Sequence, residues 1–299
     1  MTLQQLKYVV TVAECGNITE AAKQLFVSQP TVTSAIHDLE KEMQIVIFIR
    51  TNKGVILSED GERFLGHARQ VLEQVDLIEG IYKDDVVSKP HFAVSCQHYS
   101  FAVNAFVDVI REFDAYQYDF TIREEQTHEI IEDVTNLKSE LGVIYLSSKN
   151  TEVLSKMLKR NELEFTELFT ATPHVFICDS HPLASKNSIT MDDLQDYPYL
   201  TYEQGEYNSQ YFSEEFVSTL DSRKNIRVRD RATLFNLIIG LNGYTVCSGV
   251  ISAELNGRNI ISKPLDVEEY MRIGIISRKG VVLSRYAREY IEALKAHCI

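Results

Sequence analysis

The chain of 299 residues has no apolar run approaching the roughly 20 residues that a bilayer crossing needs. Its opening residues carry neither the basic stretch nor the apolar core of an export signal. The expectation is therefore a soluble, cytoplasmic chain with no membrane partner. Glycine and proline are scarce, 13 and 6 in all, which excludes collagen-like and low-complexity compositions. The five cysteines (Cys15, Cys96, Cys178, Cys247 and Cys298) are odd in number and never in CxxC spacing. That argues against a disulfide framework or a metal site and for small buried hydrophobes in a reducing compartment. Basic charge is short as well: the net charge is -13, which disfavours indiscriminate nucleic-acid binding. Even residues 1–60 hold five cations against seven carboxylates. What remains is an ordinary globular composition, 44% hydrophobic and 24% charged, at a length that favours two domains or more.

Leu3, Leu6, Val9, Val10 and Ala13 recur at helical spacing, so residues 2–14 read as an amphipathic helix ended by Gly16. Asn17 followed by Glu20 reads as a capping-box-like helix start, with Ala21, Ala22 and Leu25 as a small inner face. After a break at Phe26 and Val27, Ser28 can cap a further helix whose first turn tolerates Pro30. Val32, Ala35, Ile36, Leu39 and Met43 form its inner stripe, and Gln29, Thr31, Thr33, Ser34 and His37 its polar outer face. Two short helices joined by a tight turn, the second polar on its leading face, describe a helix-turn-helix. In the major groove, Gln29 could read a base edge, Thr31 and Thr33 a thymine methyl or a phosphate. The bland alternative is a well-capped surface helix. The β-branched runs at 45–49 and 55–57, about a turn at 50–54, add a hairpin wing with Arg50 and Lys53 placed for backbone phosphate.

The order Ala21-Ala22-x-x-Leu25-x-Val27-Ser28-Gln29-Pro30, Thr33-x-x-Ile36-x-x-Leu39-Glu40, Phe48-x-Arg50, then Leu57-Ser58-x-x-Gly61 resembles the LysR-type regulator signature nearly in full. Gln44 stands where that family usually ends a helix with glycine, and Ser34 where many members carry arginine. The resemblance implies an α/β protein overall. It would comprise a mostly α winged helix-turn-helix over 1–58, a linker helix and hinge over 59–89, and a two-lobed effector domain over 90–299 like that of periplasmic solute-binding proteins. Implied DNA contacts are Ser28, Gln29, Pro30, Thr31, Thr33, Ser34, His37, Arg50 and Lys53. Implied partners are a pseudo-palindromic double-stranded DNA operator, a second copy through the linker helix, a dimer of dimers, and RNA polymerase.

Phe64, Ala68, Val71, Val75, Ile78 and Tyr82 step by fours and threes, a coiled-coil seam suited to a dimer contact. Its alternative is a helix packed on its own domain. Beyond residue 90, short apolar strands alternate with helical segments, which predicts parallel sheet covered by helices. The pattern restarts near Phe165 and returns near Pro264, giving lobe I as 90–164 with 265–299 and lobe II as 165–264. A cleft between lobes is a natural ligand site. Carried over by position from the resembling family, its lining is Ser95, Gln97, His98, Tyr99 and Ser100 after the first strand and Thr127 and His128 after the second. The second lobe would add Thr201, Tyr202, Glu203, Thr245 and Ser248. Hydroxyls, amides and helix-start N–H groups suit a small anion, although Ser and Thr also cap helices for purely structural reasons. Glu203 at the rim could pair with an ammonium group, making the effector an anionic or amino-acid-like metabolite. No other cofactor, metal or catalytic group is expected. The segments Asp230-Arg231-Ala232-Thr233 and Gly243-Tyr244-Thr245 are similar to regulators of sulfur-amino-acid metabolism. Competing readings are an enzyme using Cys96 with His98, an exported solute-binding protein, and a regulator of the same family that senses redox state through a cysteine.

Overall fold

The computed structural model describes residues 1–52, 54–82, 90–113, 117–205, 211–215, 223–251 and 258–297. The chain divides into two compact units, one built on Met1–His91 and the other on most of the remaining residues.

In the first unit, α1 (Leu3–Cys15) starts on a Thr2/Gln5 capping box and ends at Gly16 in the left-handed conformation. Helix α2 (Ile18–Gln24) is capped by Asn17, whose side chain accepts from the N–H groups of Thr19 and Glu20. A turn through Phe26, at φ 55°, leads to α3 (Gln29–Met43), capped by Ser28 with Pro30 in its first turn. Gln44 closes α3 in the left-handed conformation at φ 56°, one that glycine adopts with less strain. The wing is the antiparallel hairpin β1 (Phe48–Thr51) and β2 (Gly54–Leu57), with Arg50 opposite Val55. Tyr8, Val9, Val12, Ala21, Ala22, Val32, Leu39 and Ile47 form one buried cluster. The wing is fastened to α3 by Glu40, whose carboxylate accepts from the N–H groups of Ile47 and Phe48 at 2.7 and 3.1 Å.

Helix α4 (Glu59–Tyr82) has Glu59, Asp60 and Glu62 in its first turn, where the helix dipole favours them. The seam expected along it is divided. The partly buried Phe64 packs on the first unit's core beside its neighbour Leu65 and Ala68 is buried, whereas Val71 and Ile78 are exposed. Heptad spacing alone does not distinguish these two uses of an apolar stripe. The side chain of Tyr82, the hinge at 83–89 and Lys53 lie outside the described residues.

The second unit holds two main sheets. Its strands are β3 (His91–Cys96), β4 (Asp119–Glu124), β5 (Leu141–Leu146), β6 (Leu163–Ala171), β7 (His174–Cys178), β8 (Tyr199–Tyr202), β9 (Asn225–Val228), β10 (Thr245–Cys247), β11 (Ile260–Pro264) and β12 (Met271–Arg278). The first sheet is five-stranded in the order β4-β3-β5-β12-β6. In it β3 and β5 run parallel, and β12 is antiparallel to both β5 and β6. Helices α5 (Ser100–Glu112), α6 (Thr127–Thr135), α7 (Thr151–Arg160) and α9 (Arg285–His297) belong with this sheet. The predicted restart at Phe165 is corrected: that residue pairs with Ile276, so β6 completes the first sheet. The alternation of element types does not reveal which sheet a strand joins. The second sheet, β10-β7-β11, is antiparallel. The parallel pair β8 and β9 and helix α8 (Arg231–Leu241) pack with it. Tyr211–Glu215 forms turn and bend. Among the described residues no helix is long and apolar enough to cross a membrane.

Candidate functional site

Two sites emerge, one in each unit. The leading face of α3 and the wing surround an open groove of about 640 Å³ lined by Gln29, Pro30, Thr33, Ser34, His37 and Arg50. Ser28 and Thr31 lie at the start of the same helix, their hydroxyls bonded to each other at 2.7 Å, where Ser28 satisfies a first-turn N–H. Gln29 donates from its amide to the Thr33 hydroxyl at 2.8 Å, so the amide is held along the outer face. All of these except half-buried Thr33 are exposed. Glu40 also lines the groove. Its carboxylate is already engaged by two wing N–H groups, which gives a structural role to one of the acidic residues that make this unit's charge unfavourable for DNA.

The second site lies between the two sheets of the second unit. It is lined by His98, Tyr99, Ser100, Tyr202, Thr245 and Ser248 of the expected residues. The rest of the expected set is placed otherwise. Ser95 is buried against Asp133 and Ser139, each at 2.8 Å. Gln97 is a buried hub: its amide donates to Thr127 at 2.6 Å, and its carbonyl accepts from the Tyr145 N–H and the Tyr99 hydroxyl, both at 3.1 Å. Thr127 is also buried, donating to the Phe212 carbonyl at 2.8 Å. His128 lines a neighbouring crevice with Glu124, Glu125 and Glu129. Thr201 pairs along β8 with Arg227. Glu203 forms an ion pair with Arg229 and is not among the residues that line this cavity.

Sequence reasoning missed three charged residues of this cleft, Glu214, Glu215 and Arg231. Glu214 and Glu215 fall in a segment with no periodic signal that marks them as inward-facing. Arg231 follows the helix cap Asp230 and pairs with Glu124 at 3.0 Å. The His98 ring is clamped between two acceptors, the Glu214 carboxylate at 2.9 Å from Nδ1 and the Arg229 carbonyl at 3.0 Å from Nε2. With an ionised Glu214 both nitrogens donate, an arrangement that favours the charged ring. Burial opposes that charge, but the adjacent Glu214 carboxylate outweighs it and the His98 pKa is raised. The ring stacks on Tyr202 with centroids 3.9 Å apart and planes within 7°, a favourable face for a cation. Glu215 accepts from the Tyr202 N–H at 2.6 Å and from the Ser213 hydroxyl at 2.9 Å. Burial, then the neighbouring Glu214 charge, pushes its pKa up to about 8. The free space left is about 30 Å³, room for roughly two waters. Among the described residues no group of three or more His, Cys, Asp or Glu is placed to hold a metal.

A winged helix-turn-helix joined to a two-sheet unit with a polar cleft defines a DNA-binding regulator with an effector domain. Family models bear this out: residues 3–62 match the bacterial regulatory helix-turn-helix of the LysR family, and residues 95–299 match the LysR substrate binding domain. The chain belongs to the LysR family of DNA-binding transcription regulators. It is 27% identical over 305 residues to the transcriptional regulator YvbU of Bacillus subtilis, covering 99% of this chain and 98% of that one. It is 28% identical over 207 residues to the transcriptional regulator CysB of Burkholderia cenocepacia, covering 68% and 63%. Full-length OxyR from Pseudomonas aeruginosa shares the fold, with a TM-score of 0.64 at 21% identity, covering 99% of this chain and 98% of that one.

Proposed function

We propose that the chain is a cytoplasmic regulator that binds a pseudo-palindromic operator as a dimer of dimers and is switched by a small carboxylate-bearing metabolite in the cleft of its second unit. The observation that supports the effector reading most is the convergence of His98, Ser100, Thr245 and Ser248 on one cavity between two sheets. On the DNA side, Gln29 and its neighbours on α3 would read bases while Arg50 and Lys53 meet phosphate. The exposed Val71 and Ile78 of α4 mark the surface we assign to the partner copy. Binding can shift the assembly only through different affinities for its two arrangements. Sulfur-amino-acid metabolism is the pathway suggested by the likeness around 230–233 and 243–245.

The competing readings lack chemistry here. Burial pushes the Cys96 and Cys247 thiols well up, which disfavours the thiolate that peroxide chemistry or nucleophilic catalysis needs. Both ring nitrogens of His98 are engaged, by Glu214 and by the Arg229 carbonyl, which leaves neither free to serve as a base. The test is a thermal-shift screen of the full chain against amino acids, their acetylated precursors, small carboxylates and inorganic anions. At about 100 times its dissociation constant a true effector stabilises by roughly 2.7 kcal/mol, an upward shift of several degrees. Ser100→Ala should remove most of that shift. A panel without a saturable hit, or a hit indifferent to Ser100, counts against the effector reading.

A further inference from the structure

The cleft is not simply an open bowl of donors, because one of the chain's own carboxylates already sits on them. Glu214 Oε2 accepts the His98 backbone N–H at 2.9 Å. The same carboxylate takes the His98 ring Nδ1 at 2.9 and 3.0 Å and the Gln204 amide at 3.2 Å. His98 lies just ahead of α5, whose N-cap Tyr99 provides no side-chain cap. These donors, a backbone N–H, a histidine ring and a side-chain amide just ahead of the helix, are ones a ligand carboxylate would use in place of Glu214. A second observation in the same cavity is independent of the helix end. Thr245 is 4% exposed, lines the cavity, and its hydroxyl oxygen has no hydrogen-bond partner. A buried hydroxyl in that condition costs free energy unless a ligand or a water in the cavity meets it.

We propose that Glu214 is a built-in competitor of the effector: its carboxylate occupies the anion donors around His98, and a ligand carboxylate that also reaches the Thr245 hydroxyl displaces it. This rests on the effector reading above and adds the ligand class and the regulation of that site. The ligand is a compact carboxylate, since the remaining space of about 30 Å³ accommodates it only as the Glu214 carboxylate leaves. Effector affinity is then set by an exchange of one carboxylate for another. The apparent dissociation constant exceeds the intrinsic one by the inverse of the fraction of molecules in which Glu214 is off His98.

The experiment is chemical rescue in the full chain. Glu214→Ala removes the competitor and leaves the donors. Acetate at tens of millimolar should then raise its melting temperature saturably, by roughly 5 °C, while acetamide at the same concentration does nothing and the parent is little affected. Adding His98→Gln should abolish the rescue. Equal responses of variant and parent, or of acetate and acetamide, overturn the proposal. If Glu214→Ala does not fold, Glu214→Gln keeps the shape without the charge. Acetate, followed by NMR at the His98 backbone N–H, should bind it at least roughly tenfold more tightly than the parent, and equal binding overturns the proposal. A panel without an effector alongside intact rescue would sink the effector reading and not the anion site. An effector that binds parent and Glu214→Gln equally would do the reverse.

Discussion

Gly61→Ala is expected to destabilise the DNA-binding unit by roughly 3 kcal/mol or more and to abolish DNA binding. A Cβ at position 61 would lie 2.1 Å from the Ile47 carbonyl oxygen, a backbone atom that cannot rotate away. That same carbonyl accepts the Ser58 N–H at 3.0 Å, and the Ser58 hydroxyl donates to the Val46 carbonyl while accepting the Gly61 N–H at 2.9 Å. The start of α4 is thereby bolted to the segment that leads into the wing, and relief of the clash would require breaking these bonds together. Gly240→Ala is the internal control. Position 240 lies in α8 with nothing within 4 Å of a new Cβ, so the exchange should be neutral or stabilising by about 0.5 kcal/mol. Calorimetry of the full chain reads both. A Gly61→Ala protein that melts like its parent would show that the start of α4 does not pack on the wing in this way.

Glu215→Gln is expected to change how stability depends on pH. Glu215 is 2% exposed, and its pKa stands at about 8 against an ordinary 4.5, raised by burial and then by Glu214. Between these values the folded chain keeps a proton that the unfolded chain releases. The contribution to stability is therefore full below pH 4.5 and is lost as pH rises toward 8. Glu125, pushed to about 7 by burial and by Asp133, acts in the same direction but is less buried. Glutamine resembles the neutral acid and keeps an acceptor for the Tyr202 N–H. At about pH 8 the variant should exceed its parent by roughly 2–4 kcal/mol, whereas near about pH 4.5 the two should agree within about 1 kcal/mol. Urea unfolding across that range, followed through the transition of the second unit, checks this. Parallel pH profiles for the two proteins would mean that Glu215 is ionised in the fold.

The first unit was legible in the sequence because its information is local. Asn17 and Ser28 cap helices α2 and α3, where capping chemistry expects them, and Val32, Ile36 and Leu39 are buried at helical spacing. The groove lined by Gln29, Thr33, His37 and Arg50 joins residues from α3 and the wing that one motif already ordered. The role of Glu40 as the fastening between them was not legible, since a helix-surface glutamate looks the same whether it meets water or the wing. In the second unit the alternation of strands and helices was readable, but the partner of β6 was not, because pairing with β12 links residues about a hundred positions apart. The cleft was half legible for the same reason. His98, Tyr99 and Ser100 follow β3 and were placed by position from the family resemblance. Glu214 reaches His98 across 116 positions from a segment without periodicity. Gln97 was expected to face ligand and instead ties Tyr145, Tyr99 and Thr127 together, the use to which a buried amide is put when backbone and hydroxyl groups surround it.

Whether α3 and the wing read DNA sequence is tested most directly by selecting genomic DNA fragments with the full-length chain. Salt titrations on the enriched site then compare the parent with Gln29→Ala and Arg50→Ala. Enriched fragments are expected to share an inverted repeat. Gln29→Ala should lose about 1–3 kcal/mol of discrimination at one base position per half-site. Arg50→Ala should weaken all sequences alike and reduce the salt slope by about 1. Fragments enriched no better than bulk DNA, or a Gln29→Ala protein with unchanged base preference, would contradict sequence reading by this face.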